Sequence, residues 1–102
     1  MSVTLINPPF LFPQREEIVR SHCTGLRILS AWLKGKGHRV HFLDALALGF
    51  DEVALFANGY RVGLSAARTA ERIPADTTLV GISVPYSQLA PIAHEIVHEI
   101  RR

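Results

Sequence analysis

Three short β-rich runs constrain this chain more than anything else in it: SVTLI at 2–6, RVHFLD at 39–44 and TLVGISV at 78–84. The first and third are nearly continuous apolar stretches, the pattern of strands buried on both faces. Helical segments separate the runs, so successive strands are joined by crossovers, which are right-handed and make the sheet parallel. The expectation is an α/β, doubly wound parallel sheet of three strands with flanking helices. In such folds ligands sit beyond the carboxyl ends of the strands. That rule selects Asn7 to Phe10, Asp44 to Leu46 and Val84 to Ser87.

The connections are read from periodicity and turn chemistry. From Asn7-Pro8-Pro9 to His22 the chain looks mostly irregular for sixteen residues. From Thr24 to His38 it is helical, with Leu26, Leu29 and Leu33 on one face beside Trp32, and Arg27, Ser30 and Lys34 opposite. Gly37 suits a left-handed helix end. Residues 51–58, DEVALFAN, predict a short helix begun by Asp51 and ended at Gly59. Ser65 is a good N-cap for a helix that must stop before Pro74. A last helix runs from Ser87 to the end, and its first turn accommodates Pro91.

A chain of 102 residues forms one domain, able to bury roughly two thirds of its unfolded surface. With 48% hydrophobic and 20% charged residues, its composition is that of a soluble globular protein rather than a disordered one. The net charge of +2 is spread along the chain, which gives no footprint for nucleic acid. The single cysteine, Cys23, excludes an internal disulfide and fits a reducing compartment. The N-terminus lacks the basic region and cleavage site of a signal peptide, and no apolar run reaches about 18 residues. These features predict a cytoplasmic protein that does not enter a membrane.

Two familiar sites are excluded or weak. The first strand leads into INPPFLFPQ, with no glycine before Gly25, so neither a dinucleotide-binding G-x-G-x-x-G turn nor a phosphate loop is present. Asp44, at the end of the second strand, therefore reads as a strand-end polar residue or helix cap rather than a ribose ligand. His94-Glu95-Ile96-Val97-His98 matches the zinc-hydrolase pattern H-E-x-x-H. At 100° per residue, however, Ile92, Ala93, Ile96, Val97 and Ile100 form the apolar stripe and turn His94 and His98 to water. A catalytic zinc also needs a third protein ligand and a sheltered cavity. Those histidines are at most adventitious metal ligands.

The segments TLINPPF, GLRILSAWLKGKGHRVHFLDA and IPADTTLVGISVPYSQLAPIAHEIVHEIRR, in that order and spacing, resemble the N-terminal cobalamin-binding domain of the B12-dependent radical SAM enzymes. The similarity spans nearly the whole chain. It implies a Rossmann-like domain that holds a corrinoid at its strand ends, with the dimethylbenzimidazole tail displaced from cobalt. The residues it implicates are Asn7, Pro8, Pro9 and Phe10 as a stiff apolar rim, Thr24 and Gly25 at the start of the first long helix, and Ser83, Val84 and Pro85 at the tail pocket.

The chain departs from that pattern in two ways. The Asp-x-His-x-x-Gly motif of other corrinoid domains is absent, as is common in the radical SAM group. His22 is the only histidine near that loop and reads as a solvated residue, and Cys23 as a small packing residue. The family domain also continues through two more strands, so the resemblance implies a Rossmann-like sheet of three strands in the flavodoxin-like spatial order 2-1-3, incomplete relative to the family. The third strand then has an unpaired apolar edge, as in a piece of a longer protein or in a protomer that completes its sheet by dimerising. One cysteine cannot hold the four-iron four-sulfur cluster of a radical SAM core, so that core and its S-adenosylmethionine would lie outside this chain.

The expected function is a cobalamin-binding module that presents the corrinoid to such a core, in a methyltransferase-type or cyclase-type enzyme. The alternatives are a dimerising α/β unit that binds nothing, a signalling receiver lacking the usual strand-end carboxylates, and, last, the zinc hydrolase.

Overall fold

A computed structural model describes residues 1–19, 23–56 and 59–101. Its strands are β1 (Ser2–Asn7), β2 (Phe10–Phe12), β3 (Arg39–Asp44), β4 (Val53–Phe56), β5 (Gly59–Val62) and β6 (Leu79–Ile82). Its helices are α1 (Thr24–Gly35), α2 (Ala45–Leu48), α3 (Ala66–Glu71) and α4 (Ala90–Ile100), with single 3-10 turns at Arg15–Glu17 and Ser87–Leu89.

The parallel sheet has the order β3-β1-β6, so the first strand lies at the centre. Its register pairs Leu5 with Phe42 on one side and with Gly81 on the other. From Val3 to Asn7 every residue of β1 is buried, as a strand covered on both faces requires. On one face Ile6 and Leu43 pack against Leu89, Ile92 and Ile96. Each such fully buried side chain contributes about 1.5–3 kcal/mol. On that face α3 and α4 also pack against each other, while α1 lies against β3 and β1.

Several ends follow the sequence closely. Ser65 Oγ accepts from the Arg68 N–H at 3.2 Å and opens α3. Gly37 sits at φ +89°, the Gly37 N–H donates to the Lys34 carbonyl and the His38 N–H to the Leu33 carbonyl. Those paired bonds close α1 as a Schellman turn.

Four expectations need correction. Residues 53–56 are a strand, not part of a helix over 51–58; β4 pairs antiparallel with β5. Eight residues are too few for a stable isolated helix, whereas two apolar runs flanking Asn58-Gly59 are a hairpin signal. The stretch after Pro9 is not irregular either, because β2 pairs antiparallel with β5 and completes a second sheet of order β2-β5-β4.

The third correction is the rotation of α1. Ser30, expected on the polar side, is its one buried residue, and the Arg27 guanidinium lies 5.3 Å from the centre of the Phe42 ring. Leu29 and Trp32 are exposed instead. A small residue at the point of closest approach lets the helix sit down on the sheet, and an arginine can cover an aromatic face with its stem and plane. β6 is also shorter than 78–84, and only partly buried.

The two sheets meet at the carboxyl end of β1. Gly63, at φ +128°, passes so close to the turn that an added Cβ would lie 2.8 Å from Pro9 Cβ and 3.0 Å from the Ala45 carbonyl oxygen. Gly63→Ala should therefore lower stability in urea unfolding by about 2–4 kcal/mol, combining a strained φ with overpacking. Gly25→Ala, whose methyl meets nothing within 4 Å, should leave stability unchanged or raise it by up to about 1 kcal/mol.

Candidate strand-end site

The carboxyl ends of β1 and β3 are tied by side chains. Asn7, at the end of β1, donates from Nδ2 to Asp44 Oδ1 at 3.0 Å. The same Oδ1 accepts the Ala47 N–H at 3.0 Å, making Asp44 the N-cap of α2. The Cys23 thiol donates to Asp44 Oδ2 at 3.6 Å. Asp44 is thus a strand-end cap, one of the two roles its sequence position allowed. Ala45 and Leu46, the rest of that candidate range, are buried.

The implicated residues fall into three groups. Asn7, Pro8 and Pro9 are buried, the two prolines completely, beneath the Gly63 backbone. They form a structural turn and offer no rim to a ligand. Thr24 and Gly25 are exposed at the first turn of α1, which Cys23 anchors to the end of β3. Cys23 itself adopts φ +53°, a left-handed conformation uncommon for a residue with a side chain. Ser83 is half-buried with its N–H bonded to the Ile6 carbonyl, and Val84 and Pro85 are exposed just beyond it. β1 separates this third group from the second, a span of about 10 Å at two inter-strand spacings. His22 lies outside the described residues.

Phe10 lies apart from these groups, and none of Ser83, Val84 and Pro85 lines its cleft. It lines a cleft of about 370 Å³ between β2 and the segment after β6, together with Phe12, Val19 and Tyr86. Gln88 Nε2 reaches the Leu11 carbonyl at 3.5 Å across its floor. Tyr86, 59% exposed at the mouth, falls inside the strand-end range of the sequence but is not among the residues the resemblance singles out. Phe12 and Val19 were hidden by the reading of their segment as irregular.

A second pocket, of about 390 Å³, lies between the β4–β5 hairpin and α3–α4. Its charges are engaged: Arg61 donates to Glu95 at 2.7 Å, and Arg68 pairs with Glu52 at its margin. Glu95 is the central acid of the H-E-x-x-H pattern, so the structure occupies it with an ion pair while His94 and His98 stand exposed. Among the described residues no group of three His, Cys, Asp or Glu side chains is placed to hold a metal ion. No helix among them is long and apolar enough to cross a membrane.

A corrinoid fits these residues in part. The aromatic cleft matches a flat heteroaromatic base or one edge of the macrocycle, and its volume is at the small end for a ligand pocket. The broad face of the corrin would have to lie outside it, across the exposed Val84-Pro85-Tyr86 segment. Comparisons of the chain with family models, with curated proteins and with solved structures returned no match.

The load on Asp44 can be measured. Asp44→Ala removes the α2 cap and leaves the buried Asn7 amide without its acceptor, which should cost about 2–4 kcal/mol in thermal or urea unfolding. Asp44→Asn keeps a capping oxygen and should lose about half as much.

Proposed function

We propose that this domain binds a cobalamin at the carboxyl end of its parallel sheet and presents it to a radical SAM core. The observation that carries the reading is the open aromatic cleft between β2 and the segment from Tyr86 to Leu89, beside the place where strand order reverses. The crossover from β1 moves to β3 on one side, and the chain then returns to β6 on the other. Ligand crevices in open α/β sheets form at such points. The order and spacing of the three segments that resemble the cobalamin-binding domains support it further.

In this reading Phe10, Phe12 and Tyr86 hold the flat tail base or ring edge by aromatic contact, and Ser83 offers a hydroxyl at the strand end. Val84 and Pro85 form the apolar shelf beside them. Thr24 and Gly25, across β1, would meet the opposite rim or its amide arms. Asn7, Pro8 and Pro9 act from beneath, fixing the strand ends without touching the ligand. A bound corrinoid supplies methyl transfer, or in some enzymes ring-forming chemistry, while this chain contributes position and exclusion of water.

The test is an absorption titration of the folded chain with hydroxocobalamin. Saturable binding with the spectrum of a displaced dimethylbenzimidazole base is expected. Tyr86→Ala should weaken it about two- to tenfold through the lost aromatic contact, and Ser83→Leu should weaken it by blocking the strand end. A chain that is folded by circular dichroism yet leaves the corrinoid spectrum unchanged refutes the reading.

A further inference from the structure

The cleft beside β2 carries polar groups that its aromatic walls do not account for. Phe10 and Phe12, two residues apart on one strand, point to the same side of it. Their rings lie 6.0 Å apart and are tilted by 31°, so a flat group can lie across both, with Tyr86 also lining the cleft. Stacking on such a wall tolerates any heteroaromatic ring. What separates one ring from another is the hydrogen-bonding rim.

That rim is rich in acceptors and poor in donors. Glu17, from the 3-10 turn after β2, lines the cleft and is exposed. Among the described residues it has no ion-pair partner. No Lys, Arg or His is among the described residues that line the cleft, and Arg15 on the same turn stays outside it. A second acceptor is the carbonyl of Leu11, on the edge strand β2. Gln88 Nε2 meets it at 3.5 Å, beyond the usual range of an N–H···O bond. The one side-chain amide is thus spent weakly, on a group that a better donor can take over. The Tyr86 hydroxyl serves either way, whereas a carboxylate accepts and cannot donate.

We infer that the cleft is built for a flat base bearing an exocyclic amine, an adenine-type ring. The ring stacks on the aromatic wall, and the amine supplies donors to a rim that offers the Glu17 carboxylate and the Leu11 carbonyl. A purine with a carbonyl in place of that amine sets acceptor against acceptor. Dimethylbenzimidazole stacks equally well but brings methyl groups to the rim and pairs with neither acceptor. A phosphate attached to the base stays outside, because the cleft offers it a carboxylate and no cation. The inference rests on the proposed function only for the carrier of the base: among corrinoids, the cleft selects one whose tail ends in adenine over one that ends in dimethylbenzimidazole.

The test titrates the folded chain with adenosine, inosine and AMP, followed by chemical shifts in isotope-labelled protein, with circular dichroism as the check on folding. Adenosine should shift Phe10, Tyr86 and Gln88. Inosine should bind about tenfold or more weakly, the scale of a hydrogen bond to a charged group, and AMP no tighter than adenosine. Glu17→Ala should abolish the preference for adenosine, whereas Tyr86→Ala should weaken both nucleosides about two- to tenfold. Glu16→Ala, exposed and outside the cleft, should change neither. Equal affinity for the two nucleosides overturns the inference, as does a preference that survives Glu17→Ala or tighter binding of AMP. So does an absence of adenosine binding at about 10 mM, beyond the range of even a weak site. A pair of corrinoids separates the inference from the reading it rests on. An adenine-tailed cobamide should bind about tenfold more tightly than hydroxocobalamin; equal affinity overturns the inference and leaves the corrinoid reading standing. Adenosine binding by a chain that takes neither corrinoid upholds the assignment of the cleft and refutes the corrinoid reading.

Discussion

The fold depends on how the end of β1 is closed. A central parallel strand must release its chain at the carboxyl end without leaving buried polar groups unpaired. Asn7 does this by spending its amide on Asp44, which also caps α2 and accepts the Cys23 thiol. The two prolines that follow carry no backbone N–H, so the buried turn has two fewer donors to satisfy. Gly63 seals it from above, because no side chain fits against Pro9. One carboxylate thus fixes the ends of two strands, the start of α1 and the start of α2. The second sheet is held against the first through the same turn.

That closure explains which part of the strand-end site remains open. With the ends of β1 and β3 occupied by their own hydrogen bonds, a ligand can reach only the exit of β6 and the first turn of α1. The cleft between Phe10 and Tyr86 forms because β2 leaves Pro9 directly and runs beside the segment that follows β6. The antiparallel sheet is therefore one wall of the candidate site. It replaces the glycine-rich turn by which other folds of this type bring backbone to a phosphate, and it favours a flat apolar group over an anion.

Much of the parallel sheet was legible because its signals are local. Apolar runs, the Gly37 helix end and the Ser65 cap each depend on a few adjacent residues, and each lies where the sequence places it. The central position of β1 agrees with the order the family resemblance implied, since crossover handedness by itself leaves strand order open. The second sheet was not legible, since β2 is three residues long and takes its register from β5, fifty positions away in the chain. The rotation of α1 was missed for a related reason. Periodicity identifies an apolar face, but the choice between Leu29 and Ser30 as the contact is made by the space above β1. On α4 the stripe was right at Ile92, Ala93 and Ile96, and Val97 at its border is exposed. At the candidate site Ser83, Val84 and Pro85 are accessible, whereas Asn7, Pro8 and Pro9 resemble contact residues in sequence and are interior in three dimensions. A buried turn and a ligand rim use the same residue types, because both need stiff backbone with few free donors.

The exit of β6 decides how the cleft is walled. Ser83 is still held to β1, its N–H on the Ile6 carbonyl, and the chain then runs exposed through Val84 and Pro85 to Tyr86. Of these four residues only Tyr86 lines the cleft, opposite Phe10 and Phe12. The strand-end hydroxyl of Ser83 and the aromatic contact of Tyr86 are therefore separate features joined by two residues. A change at Tyr86 acts on the cleft alone, because the backbone bond that fixes the end of β6 is made three residues earlier.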